Sequence, residues 1–255
     1  MSSLFRVSSF AAAVAASLLA VPQNAHAQLV VGGVAGVEGS TFEFRLVSNG
    51  SAAIQTIYDP SALSGLAVGD RITGFAFRLD GIATASAPAL DFSDYEIYMG
   101  VAATTAANSF STFANNYDPN RPVVRVRDGL LSLPLGALTG GPGSPEAFGT
   151  TISFDQAYAY TGGGLVIEVR HTGNGTQQPL NIDGNLSGNG ILTRNTSPST
   201  ALSGVTSNTP VTRLLVTPGT AAVPEAGTGA LVGLVALPAL GAVIIRRSTR
   251  RKGNS

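Results

Sequence analysis

Two histidines, His26 and His171, carry all the imidazole chemistry open to this chain, and the absence of cysteine removes thiol nucleophiles, thiolate metal sites and disulfides. Beyond the first 27 residues only His171 remains, so a Ser-His-Asp triad has one base to draw on and a multi-histidine metal site has none. His171 closes the run Leu165 to Arg170 and precedes Thr172-Gly173. As a general base it would need a nucleophile and an orienting carboxylate, and no Gly-x-Ser-x-Gly elbow occurs. The missing partners favour a strand-end histidine, in solvent or in a local hydrogen bond. Asp91, Asp94 and Glu96 lie close in sequence. Two carboxylates about 5 to 10 Å apart across a sugar can run glycoside hydrolysis. The solvent face of one strand also explains them, because alternate residues point the same way. A hydrolase built on Asp94, Glu96 or His171 therefore ranks last among the readings.

Hard oxygen donors gather in two places. Asn115, Asn116, Asp118 and Asn120 surround Tyr117, and Asn181, Asp183 and Asn185 repeat the theme at alternate positions. Such residues suit Ca²⁺, with Asn116, Asp118 and Asp183 the candidate ligands, although Asx residues are ordinary turn formers too. The second stretch lacks the glycine and final glutamate of an EF-hand. No other cofactor is implied. Arg121, Arg125 and Arg127 would suit an anionic polymer, or pair with the chain's own carboxylates. Tyr117, Tyr158 and Tyr160 are the sugar-stacking candidates in a chain without tryptophan, and core packing explains them as well.

The elements that must position these groups read as short strands. Phe42, Phe44 and Leu46 alternate with Glu43 and Arg45. Phe75, Phe77 and Leu79 alternate with Ala76 and Arg78, and Tyr95, Ile97 and Met99 with Glu96 and Tyr98. Leu165, Ile167 and Val169 alternate with Glu168 and Arg170. A period of two marks strands buried on one face. Val124 and Val126, Ile152 and Phe154, and Arg213 to Val216 extend the set. Asp59-Pro60, Asp80-Gly81, Asp128-Gly129, Gly162-Gly163-Gly164 and Gly173-Asn174-Gly175 punctuate it with turns. No part of the body keeps a period of 3.6, and the Ser/Thr/Asn-rich stretch from Asn195 to Pro210 reads as a long loop. The expected fold is all-β, an antiparallel β-sandwich of jelly-roll type over residues 28–216.

Both ends carry signals of a different kind. Arg6, an apolar run from Phe10 to Val21 and the small-x-small site Ala25-His26-Ala27 make residues 1–27 a signal peptide, with cleavage leaving Gln28 first. At the other end, residues 217–226 form a linker holding Val223, Pro224 and Glu225. Gly227 to Ile245 follows, 19 residues without a charge. As a helix it would span about 28 Å, near the thickness of a bilayer's hydrocarbon core. Arg246, Arg247, Arg250, Arg251 and Lys252 close the chain in residues 246–255 and orient the span with its basic end in the cytoplasm. The expected architecture is thus a sandwich flanked by an N-terminal signal helix and a C-terminal transmembrane helix. The formal charge of zero hides an asymmetry: from Gln28 to Ala222 nine arginines meet fourteen carboxylates, with no lysine, a net of −5. Such a body has no electrostatic footprint for nucleic acid.

The three-part tail of Val223-Pro224-Glu225, apolar span and arginine cluster resembles the PEP-CTERM sorting signal of exported bacterial proteins, with Ala226 where that family usually has its second proline. The resemblance implies recognition of the motif by exosortase, a membrane transpeptidase-like enzyme, removal of the tail, and delivery to the cell surface or its polymer matrix. In the body, Ile57-Tyr58-Asp59-Pro60, Ile72 to Arg78 and Tyr160 to Arg170 are similar to segments of uncharacterised β-sandwich proteins bearing that signal. This implies a shared fold and no activity. The sequence therefore leads us to expect a non-enzymatic surface or extracellular-matrix protein of structural or adhesive type. Its expected partners are signal peptidase, exosortase, the membrane before processing, and exopolysaccharide. A carbohydrate-binding module for exopolysaccharide is the alternative.

Overall fold

Strands follow where β-branched and aromatic residues alternate with polar ones, and glycine or Asx turns separate them. The computed structural model describes residues 27–43, 45–175, 180–185, 190–195, 203 and 205–219. It carries β1 (Ala27–Val31), β2 (Thr41–Glu43), β3 (Ala52–Tyr58), β4 (Arg71–Phe77), β5 (Leu90–Phe92), β6 (Tyr95–Val101), β7 (Val124–Arg127) and β8 (Leu131–Leu133). These are followed by β9 (Ile152–Ala159), β10 (Leu165–His171), β11 (Ile182–Asn185), β12 (Gly190–Asn195), β13 (Val205–Ser207), β14 (Thr209–Pro210) and β15 (Thr212–Thr217). The fold is all-β and antiparallel, as expected. A four-stranded sheet runs β1-β15-β4-β9 and a six-stranded sheet β13-β12-β3-β10-β6-β7; two small sheets, β14-β11-β2 and β5-β8, complete it.

The two large sheets share one apolar core. From the six-stranded sheet come Ile54, Tyr58, Ile97, Met99, Leu165, Ile167 and Val169; from the four-stranded sheet come Val31, Ile72, Phe75, Phe77, Leu214 and Val216. Each such aliphatic or aromatic side chain contributes roughly 1.5–3 kcal/mol by leaving water. Tyr58 ties the sheets together by donating its buried hydroxyl to Thr212 Oγ1 at 3.0 Å.

Two expectations need correcting. The stretch from Asn195 to Pro210 is not a continuous loop, because it contains β13 and β14. Arg45 and Leu46 do not continue the strand of Phe42: Arg45–Val47 is a 3-10 turn that buries Leu46 and Val47. The compact unit holding the described residues ends at Gly219. Among the described residues no helix is long and apolar enough to cross a membrane. Both expected terminal helices lie outside those residues.

Candidate functional site

His171 ends β10 with its ring turned into the core. It stacks on Tyr95 at a centroid distance of 5.5 Å and meets Phe92 edge-on at 5.1 Å. Nε2 lies 2.6 Å from the Arg45 carbonyl oxygen, and Nδ1 accepts the Gly173 N–H at 3.0 Å. A carbonyl can only accept and an N–H can only donate, so these partners fix the neutral tautomer protonated on Nε2. Burial lowers the imidazole to about 4, with the Arg45 carbonyl opposing. Of the two settings the sequence allowed, the local hydrogen bond is the one found, and the ring is buried rather than in solvent.

Asp94 and Glu96 flank Tyr95, the register partner of His171, and their carboxylates make a separate group. One carboxylate oxygen each of Asp94, Glu96 and Asp128 lie within 4.8 Å of one another. Arg125 holds this group, reaching Glu96 at 3.2 Å and Asp128 at 3.0 Å, while Asp94 accepts the Gly129 N–H. Arg127 sits 3.8 Å from Asp155. These arginines are paired with the chain's own carboxylates on partly exposed surface, where such pairs contribute little. Asp91 is exposed in β5, opposite Ser132.

Asp183 belongs to a cluster the sequence did not suggest. One oxygen each of Glu38, Asp80 and Asp183 lie within 4.8 Å of one another. Asp183 binds the Gly39 N–H through Oδ1 and Arg78 Nε through Oδ2, at 2.9 and 2.6 Å. Arg78 is fully buried, and it also donates to the carbonyls of Ala35 and Val37. Glu38 accepts the Gly81 N–H, and Asp80 accepts that of Ile82. Burial raises the Asp80 carboxyl above its ordinary value, with the Ile82 N–H opposing and the charge of Glu38 adding to it. Burial likewise raises Asp183, against the pull of Arg78. Three carboxylates beside one guanidinium offer hard oxygens to a divalent cation.

Asn116 and Asp118, the other calcium candidates, lie in a different segment. The connection from β6 to β7 crosses the outer face of the six-stranded sheet, which explains why β3 is buried along its whole length. Asn116 is fully buried, and all its polar atoms are used: Nδ2 donates to Gln55 Oε1 and to Phe110 O, and Oδ1 accepts from Phe110 N. Asp118 accepts from Asn120 N in an exposed turn.

Beneath that segment the strand register lines up Gln55, Glu168, Tyr98 and Arg125 on neighbouring strands. Glu168 is saturated: Oε2 accepts from Gln55 Nε2 at 2.9 Å and Tyr117 Oη at 3.0 Å, and Oε1 takes Arg170 at 2.5 Å. Burial, and next the Glu168 charge, push the Tyr117 hydroxyl well above its ordinary value. The Tyr117 ring lies over Gly100, where a Cβ would come within 2.7 Å of it. Beside this knot opens a groove of about 410 Å³ lined by Tyr98, Phe113, Tyr117, Val123, Glu168 and Arg170. Tyr117 is thus half-buried at a groove, whereas Tyr158 and Tyr160 are buried.

Ala27 opens β1. Ala25, Val223, Pro224, Glu225, Arg246, Arg247, Arg250 and Arg251 lie outside the described residues. Comparison with known proteins finds no matching family model, no matching curated sequence and no matching solved structure.

Proposed function

We propose that this chain is an exported bacterial surface or extracellular-matrix protein of structural or adhesive type, sorted through a PEP-CTERM tail. The observation that carries the reading is the C-terminal order of Val223-Pro224-Glu225, an uncharged 19-residue span and a terminal basic cluster, matched at the N-terminus by Ala25-His26-Ala27. In this reading signal peptidase cuts after Ala27. The tail holds the protein at the inner membrane until exosortase cuts near Pro224-Glu225, and the body then passes to the surface or matrix.

The geometry of the body is compatible with both cuts. Removal of residues 1–27 leaves Gln28–Val31 to pair with β15, and a cut near Glu225 falls beyond Gly219, whose N–H is tied to Asp70 Oδ1 at 2.9 Å. Sequence-distant strands are neighbours, β1 beside β15 and β3 beside β10, which supports a jelly-roll-like sandwich. The groove beside Tyr117 is the observation that favours the second reading, a carbohydrate-binding module for exopolysaccharide.

Deleting residues 223–255 tests the sorting reading. The deletion should move the protein from the surface fraction into the periplasm or medium. An unchanged distribution would overturn it.

A further inference from the structure

We propose that the groove formed by Tyr98, Phe113, Tyr117 and Val123 binds a neutral polysaccharide, one or two sugar rings at a time. This deepens the carbohydrate-binding reading and rests on it, by fixing the site and the charge of the polymer.

Three features select the occupant. First, the walls are aromatic and half open. Tyr98 and Tyr117 are partly exposed and Val123 is 44% exposed, while Phe113 is buried and leaves the stacking to the two tyrosines. Aromatic faces in a concave site bind the apolar C–H faces of sugar rings, and a volume of about 410 Å³ lies in the range of small-ligand pockets. Second, the floor carries no net charge. Glu168 and Arg170 are paired at 2.5 Å, and the carboxylate's remaining oxygen is filled by Gln55 and Tyr117. A polyanion would find no uncompensated cation there, and a polycation no uncompensated carboxylate. Third, the strand beneath the groove offers no backbone edge. β6 is hydrogen-bonded to β10 on one side and β7 on the other. An extended peptide therefore cannot add to β6, which removes the usual source of peptide affinity on that strand. Recognition is left to stacking, with hydroxyl contacts at the rim from Thr112 and Tyr98.

Affinity gel electrophoresis of the full chain tests this, in a zwitterionic detergent free of sugar headgroups, with dextran, a soluble β-glucan and a galactomannan as neutral probes and alginate as the acidic one. At least one neutral polymer should retard the protein and alginate should not. Tyr98→Ala should weaken the retardation about tenfold or more, as expected for losing a central aromatic contact. Ile82→Ala, an exposed position outside the groove lining, should retain it. Melting curves of each variant establish that it is folded. Retardation by a neutral polymer that Tyr98→Ala leaves unchanged would overturn the site while leaving the carbohydrate-binding reading standing. Retardation by alginate alone would overturn the neutral-polymer assignment. No retardation by any of the four would overturn both the site and that reading.

Discussion

Ala27 lies directly opposite Val216: the first strand of the body and its last are antiparallel neighbours. The last strand is also an interior one. β15 sits between β1 and β4 and buries Leu214 and Val216, with Val211 buried just before it. The core is therefore incomplete until the residues immediately before the tail have joined it.

A chain ending at Gly219 should fold and melt within a few degrees of the full chain, because every described strand is kept. A chain ending at Pro210 should not give a cooperative transition, since it loses an interior strand and three buried apolar side chains. Circular dichroism melts of the two truncations check this.

The His171 setting gives stability a sign with pH. The imidazole is near 6.5 in the unfolded chain and about 4 in the fold, so between those values the unfolded state binds more protons. Its contribution is fully present above pH 6.5 and is lost as pH falls toward 4, by about 3 kcal/mol in all. Urea titrations at pH 7 and pH 4.5 should show this loss in the wild type. They should show much less of it in His171→Gln, which removes this group and leaves the carboxylates to titrate as before. Equal losses in the two proteins would contradict the assigned tautomer and burial.

Arg78 and Asp183 form a fully buried ion pair, with side-chain exposures of 1% and 0%. Breaking it by Asp183→Asn leaves a buried guanidinium short of its charge partner and should destabilise the body by roughly 3–5 kcal/mol. Arg78→Met with Asp183→Leu should recover much of that loss, because replacing both charges removes the unpaired one. Denaturant midpoints of the single and double variants measure it.

Gly100→Ala places a methyl within 2.7 Å of the Tyr117 ring. The ring must move off Glu168, and overpacking of this kind costs roughly 1–3 kcal/mol. Limited proteolysis should then cut between Ala102 and Val123 faster than in the wild type.

These residues also show which features the sequence reveals. Alternation in β6, β10 and β15 is readable because one face of each meets the shared core. Arg78 is not, because it follows Phe77 in the position of an outward residue. It is buried because the carbonyls of Ala35 and Val37 and the carboxylate of Asp183 close around it, and Asp183 lies 105 residues away in sequence. Gln55 is hidden for a related reason. β3 reads Ala-Ala-Ile-Gln-Thr-Ile-Tyr without alternation, since the β6–β7 connection covers its second face. The groove combines Tyr98, Tyr117 and Glu168 from three separate segments, and only Tyr117 stood out as a candidate, from its Asx-rich surroundings. β13 and β14 escape because strands of two or three residues are too short to show a period.

Mass spectrometry of the protein isolated from the cell surface of its native host tests the central claim most directly. The account predicts a species beginning at Gln28 and ending near Pro224-Glu225, with no peptide from Gly227 to Ser255. A surface species that retains the apolar span and Arg246 to Lys252 would contradict it.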